Sequence, residues 1–154
     1  MSSYVQTDEF EVSDDPSRID FGVVHGFLTG CYWSTGISEV LVRKAASNSL
    51  VFGVYERATG AQVGYARVVT DRATYAYLCD VFVLESHRGR GLSKLLMRAV
   101  DGHPELQGLR RWMLMTRDAH ALYARFGFRA LSRPEAAMER HQPDVYRSRG
   151  TNPS

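Results

Sequence analysis

The run from Asp80 to Val100 constrains this chain most. An apolar segment of β type (Val81, Phe82, Val83) passes through a turn with two glycines and resumes with helical period at Leu92, Leu95, Leu96, Ala99 and Val100. Strand, short loop and helix in that order bring the first-turn N–H groups, which have no carbonyl partner, and the positive end of the helix dipole to the end of the strand. Gly89 and Gly91 let the backbone approach a ligand closely, and Arg88, Arg90 and Lys94 add full positive charge around the same point. The loop therefore suits a pyrophosphate. Neither of two familiar phosphate motifs, Gly-x-x-x-x-Gly-Lys-Ser/Thr or Gly-x-Gly-x-x-Gly, occurs there.

The rest of the chain has to build a domain around that unit. At 154 residues it is the size of one domain, and with 44% hydrophobic and 23% charged residues it reads as globular. No apolar run reaches the ~20 residues of a membrane span, and Met1 to Phe10 show no basic-then-apolar leader, so the expected location is cytoplasmic. A net charge of +2 is too small to argue for nucleic acid. Cys31 and Cys79 lack metal-type spacing and read as reduced core residues, and His25, His87, His103, His120 and His141 show no ligand spacing either, so no metal is expected.

Taken in order, Tyr4 to Val12 reads as an edge strand. Ser17 stands before a helix with Ile19, Val23, Phe27 and Cys31 on its stripe, and a second short helix spans Ile37 to Ala46 with Val40 on its apolar side. Leu50–Glu56, Ala61–Thr70 and Thr74–Leu84 predict three consecutive antiparallel strands leading into the loop. Gly102 and Pro104 end the long helix, and Leu109–Met115 is an interior strand parallel to the one before that helix. Asp118 is placed to cap a short helix carrying Leu122, Tyr123 and Phe126, and strands are expected at Phe128–Leu131 and Ala136–Met138. Residues 1–140 form one domain on this reading, and 141–154 form a polar, flexible tail.

Arg88-Gly-Arg-Gly91-Leu-Ser93 resembles the acetyl-CoA signature of the GNAT superfamily of N-acyltransferases, Arg/Gln-x-x-Gly-x-Gly/Ala, with Ser93 in the last position. Thr116-Arg-Asp-Ala119-His-Ala-Leu122-Tyr123-Ala-Arg-Phe-Gly127-Phe128 resembles the second signature, Asn-x-x-Ala-x-x-Leu-Tyr-x-x-x-Gly-Phe, with Thr116 replacing asparagine. Both stand in register with the element order, over roughly residues 4 to 140.

The resemblance implies a mixed α/β (α+β) fold with a central sheet flanked by helices, acetyl-CoA as cofactor, and acetyl transfer to a primary amine of a small molecule, protein or peptide. It implies cofactor contacts from Phe82, Val83, Arg88, Gly89, Arg90, Gly91, Leu92, Ser93, Lys94 and Thr116, the pantetheine arm lying along Val81–Val83 as an added strand. Tyr123 becomes the proton donor to the departing thiolate, whereas the residue alone reads as a core tyrosine. Asp80 is the candidate base, or a carboxylate satisfied by backbone or arginine partners. Tyr32 and Trp33 are candidates to cover the acceptor. A homodimer follows from the family's habit and from the edge strands expected near the C-terminus. The alternative function is a non-catalytic acyl-CoA-binding or sensor module.

Overall fold

The computed structural model describes residues 4–150. Two short strands open the chain, β1 (Tyr4–Gln6) and β2 (Phe10–Ser13), where the sequence predicts one. The break between them is made locally: the Thr7 hydroxyl accepts from the Phe10 amide at 3.1 Å, and the Thr7 amide donates to the Phe10 carbonyl at 2.7 Å.

Helix α1 (Phe21–Leu28) begins later than expected. Pro16–Arg18 form a 3₁₀ turn instead, and Asp20 caps the helix, its carboxylate accepting from the Val23 amide at 3.2 Å. Val24 and Leu28, which widen the apolar stripe expected of this helix, turn fully inward, and Val23 and Phe27 are half-buried at its sides. Helix α2 (Glu39–Ser47) is capped by Ser38, which leaves Ile37 buried ahead of the helix and puts Val40 on the outside, 75% exposed, while Val42 and Ala46 face the core.

The middle of the chain follows its alternating pattern. Strands β3 (Leu50–Glu56), β4 (Gln62–Thr70) and β5 (Tyr75–Val83) form an antiparallel meander, and β6 (Arg111–Leu114) joins β5 in parallel after the crossover helix α3 (Leu92–Asp101). The six strands lie in the order β1-β2-β3-β4-β5-β6. Buried residues of α3, among them Leu92, Leu95, Leu96 and Val100, cover one face of the sheet against Phe52, Val54, Ala66, Val68 and Leu78. Helices α1 and α2 cover part of the other face against Val51, Tyr65 and Phe82. Nearly continuous burial along β3 and β4 reflects helices on both sides.

Pairing of β5 with β6 runs from Tyr75↔Arg111 to Leu78↔Leu114, after which β5 continues to Val83 without β6 beside it. In the same stretch the register with β4 slips between Tyr65 and Arg67, and Asp80 takes a left-handed φ of 54°. Two residues of β5, Asp80 and Val81, thus face one of β4, the geometry of a β-bulge that bends the strand and re-aims its side chains.

Past α4 (His120–Ala124) the expected strands are absent. Phe128 turns inward to make edge contacts with the rings of Trp112 and Tyr123, each at 6.1 Å, and Pro134–Ala136 form a 3₁₀ turn led by a proline that lacks the N–H a ladder needs. Neither Phe128–Leu131 nor Ala136–Met138 is a strand, so β6 is the sheet edge among the described residues. Within the segment expected as a flexible tail, Val145–Gly150 form a short helix, and Tyr146 packs on the core under α1 and α2.

Gly64 shows how closely the meander is packed. A methyl there would lie 2.9 Å from Val54 Cγ2 and 3.1 Å from the Phe82 carbonyl oxygen. Gly64→Ala is expected to destabilise by about 1–3 kcal/mol, lowering Tm by roughly 2–4 °C per kcal/mol. Thermal denaturation by circular dichroism checks it, and an unchanged Tm would mean β4 and β5 separate more freely than their packing implies.

Candidate active site

Where β5 ends, a 3₁₀ turn (Glu85–His87) and the two glycines carry the chain into α3. Gly89 and Gly91 sit at φ of 81° and 74°, values that side-chain-bearing residues adopt only with strain. Gly91 is the N-cap and supplies no side-chain acceptor; the first intrahelical bond runs from the Leu95 amide to the Gly91 carbonyl at 3.1 Å. The amides of Leu92, Ser93 and Lys94 are therefore open to an external acceptor. They border a cleft of about 310 Å³ lined by Val83, His87, Arg88, Gly89, Gly91, Leu92, Ser93, Lys94 and Leu122.

The loop is pinned from below. His87 Nε2 lies 3.3 Å from Glu56 of β3, its ring meets Phe10 edge-on at 6.1 Å, and Arg88 Nε donates to the Val83 carbonyl at 3.3 Å. Three of the residues expected at the cofactor make other side-chain contacts. Arg90 turns over the Phe10 ring at 5.9 Å, and the Phe82 side chain stacks on Phe27 at 4.0 Å on the opposite face, leaving its backbone beside the open part of β5. Thr116 Oγ1 accepts from the Ala119 amide at 3.0 Å, and α4 starts from Ala119 at its N-cap without the side-chain cap expected of Asp118. Adding an uncapped helix start, two left-handed glycines and two basic side chains in one cleft gives a site that fits a pyrophosphate.

On the other side of the strand separation the side chains are acidic, basic and aromatic. The bulge presents Asp80 to two donors, Arg67 Nε at 2.8 Å and Trp33 Nε1 at 3.0 Å. Burial disfavours the charge on Arg67, but the neighbouring Asp80 carboxylate outweighs it and holds the guanidinium above its ordinary pKa. The geometry is compatible with both readings of Asp80 open from sequence: the carboxylate is paired with an arginine, with an indole as second donor, and keeps lone pairs that a base would use. Cys79, next along β5, is pushed up to about 12 by burial, and the Cys31 thiol is also raised by burial. Neither is a ready nucleophile at neutral pH.

Tyr123 is buried in α4, one residue from the cleft-lining Leu122. Burial, helped by the charge of Asp118 and by Tyr32, pushes its phenol up to about 12, so it stays protonated at neutral pH. Tyr32 and Trp33 stand between α1 and α2, half-open to solvent and edge-to-face at 5.2 Å, with the Arg117 guanidinium over Tyr32 at 3.9 Å.

His87, Leu122, Arg117 and Phe27 belong to the site's walls without having been singled out in sequence. For His87 a signal existed, its place inside the phosphate loop. Arg117 and Phe27 act through contacts with residues distant in sequence. Among the described residues there is no cluster of histidine, cysteine and carboxylate side chains able to hold a metal ion, and no helix long and apolar enough to cross a membrane.

Comparison with known proteins agrees with this arrangement. Residues 47–130 match the acetyltransferase (GNAT) domain. The crystal structure of an inferred acetyltransferase of the GNAT family from Xanthomonas campestris pv. campestris superposes with a TM-score of 0.87 at 49% identity, covering 92% of this chain and 99% of that one. An inferred acetyltransferase of Gibberella zeae is 30% identical over 139 residues, 76% of this chain and 77% of its own length. A Deinococcus radiodurans structure, also an inferred acetyltransferase, shares the fold with a TM-score of 0.69 at 19% identity, over 91% of this chain and 94% of its own. The chain belongs to the GNAT acetyltransferases, and its mixed six-stranded sheet flanked by helices is their fold.

Proposed function

We propose that this protein moves an acetyl group from acetyl-CoA to a primary amine of a small molecule or peptide, by direct attack within a ternary complex. One observation carries the reading: the pyrophosphate-fitting cleft lies at the end of the β5 segment that has left β6, with Tyr123 buried beside it. In that arrangement the α3 amides, Arg88 and Lys94 bind the phosphates. The open backbone of Phe82 and Val83 receives the pantetheine amides as an added strand. Acetyl-CoA supplies the acetyl group already activated as a thioester.

Tyr123 then serves the departing sulfur. With its phenol near 12 and a free thiol near about 8.5, complete proton transfer is uphill, and hydrogen-bond donation as the C–S bond lengthens is the larger part of its contribution. Asp80 takes up the proton that the amine loses on attack, directly or through water. Homodimer formation belongs to the same proposal. Its original premise, a pair of C-terminal strands, is gone; the open edge of β6 and the exposed Met115, Leu131 and Met138 now support it. Sedimentation at micromolar concentrations should give twice the chain mass, and monomer throughout would refute it.

Gly91→Glu places bulk and negative charge against the phosphate position and should abolish acetyl-CoA binding measured by calorimetry. Binding as tight as the parent's by a folded variant would overturn the assignment of the cleft. Binding by the parent with no release of CoA thiol across an acceptor screen would instead favour the sensor module.

Tyr123→Phe keeps the ring and its packing against Phe128 but removes the donor. Turnover should fall by ~10²-fold or more with little change in acetyl-CoA affinity. Because the folded-state phenol loses its proton only near pH 12, the parent's rate should show no loss from this group between pH 7 and 10. Unchanged turnover in the variant would remove Tyr123 from the chemistry.

A further inference from the structure

Asp80 is held by more than its own strand. It is a non-glycine residue at a φ of 54° in the β-bulge, a strained conformation that persists where the surroundings support it. Those surroundings come from two other elements. Arg67 reaches across from β4, its side chain mostly buried and anchored by a second bond from its guanidinium to Ser49 Oγ at 3.1 Å, so it has little room to swing. Trp33 reaches down from the α1–α2 segment and donates its indole N–H to the other carboxylate oxygen. That segment is itself braced on β5, since Phe27 stacks on Phe82 at 4.0 Å with the rings 9° from parallel, and Trp33 lies 6.4 Å from Phe27.

We propose that Arg67 and Trp33 are positioning residues that aim the Asp80 carboxylate at the acceptor, and that the site takes a compact primary amine with a flat apolar body, amino group at Asp80 and body against Trp33. The inference rests on the acetyl-transfer reading above. A carboxylate has about four lone-pair directions; the two donors use two, and two remain for an amine. The Arg67–Asp80 pair is neutral as a unit, so it holds the ammonium more weakly than an unpaired carboxylate would while still offering it two acceptor directions. That suits a nucleophile that must lose its proton before attack. Trp33 keeps 40% of its surface open and is bonded to that carboxylate, whereas Tyr32, which meets the indole edge-on, has Arg117 over its ring, so the indole is the open aromatic surface next to Asp80 for a planar apolar group.

The test reads binding without catalysis. Intrinsic fluorescence is titrated with 2-phenylethylamine in the absence of acetyl-CoA, and Trp33→Phe supplies the background from Trp112, the other tryptophan. A saturable change is expected in the parent and not in Trp33→Phe. 2-Phenylethanol, which keeps the ring and lacks the amine, should bind at least ~10-fold more weakly, and Asp80→Asn should weaken the amine by a similar factor, the scale of a charge-assisted hydrogen bond. In turnover with the same amine, Trp33→Phe and Arg67→Met should raise the amine KM ~10-fold or more and leave acetyl-CoA affinity alone, and Arg67→Lys should recover part of the loss. Should Arg67→Met fail to fold, the exposed Trp33→Phe keeps the comparison.

No fluorescence response to the amine, an equal response to amine and alcohol, or Asp80→Asn binding the amine as the parent does would each overturn the proposal. If the parent binds the amine at Trp33 but releases no CoA, acetyl transfer fails and the docking assignment stands. If it acetylates amines while Trp33 stays silent, the reverse holds.

Discussion

Everything in this protein turns on the parting of β5 from β6 after Leu78. A strand in the middle of a sheet normally has both its edges paired, and a buried backbone group left without a partner costs about 1–3 kcal/mol. Here β5 runs on from Cys79 to Val83 with β4 on one side only. The bulge at Asp80 and Val81 bends the strand away, and α4, whose Tyr123 and Leu122 pack on the same core as Val83, stands across the gap. The gap has a wall on each side, and the phosphate loop closes one end. The packed walls, not a pairing partner, hold the strand open, and a ligand that offered amides in an extended arm would fit the open edge.

Holding it open takes rigidity on both faces. On one, α3 fills the space above β3, β4 and β5 with leucines and valine and fixes its own N-terminus over the cleft; the same residues that make the core position the anion site. Its C-terminal end is tied back by His103, which is buried, accepts from the Glu105 amide at 3.1 Å through Nδ1, and so donates through Nε2 to Asp14 at 2.8 Å. On the other face the tie is aromatic, with Phe27 on Phe82 and Trp33 on Asp80. A pair of stacked rings contributes about 0.5–1.5 kcal/mol beyond its buried area. That is enough to bias a short helix with three glycines in and around it toward one position.

What could be read in advance was whatever is local and periodic. The meander, the crossover helix and the loop between them announce themselves through alternation, helical period and glycine placement, and Gly91 does sit at the left-handed position its motif needs. Helix α1 starts later than Ser17 suggests because Pro16–Arg18 close a 3₁₀ turn, and Asp20 supplies the cap. The strands expected after Phe128 failed because a β-type residue pattern specifies a strand only where a neighbour is free to pair; Phe128 found its partners in Trp112 and Tyr123 instead. Asp80 was visible as an odd carboxylate in an apolar run, but its partners lie 13 and 47 residues away, and no local pattern marks such contacts.

Those two distant contacts also explain how one strand carries two opposite environments a few residues apart. At Val83 the chain faces a cleft of amides and basic groups suited to phosphate; at Asp80 it faces a neutral ion pair and open aromatic rings. Without the bulge, alternation from Leu78 would turn Asp80 and Phe82 toward α3, into a layer of apolar side chains. The left-handed turn at Asp80 breaks the alternation, so both residues face α1 and α2 instead, Phe82 against Phe27 and the carboxylate toward Arg67 and Trp33. Strain of on the order of 1 kcal/mol at that residue is modest beside the several kcal/mol that an unpaired charge in the same layer would cost. The bulge is therefore the cheaper arrangement for a chain with a carboxylate here, because it brings that charge to a guanidinium and an indole N–H.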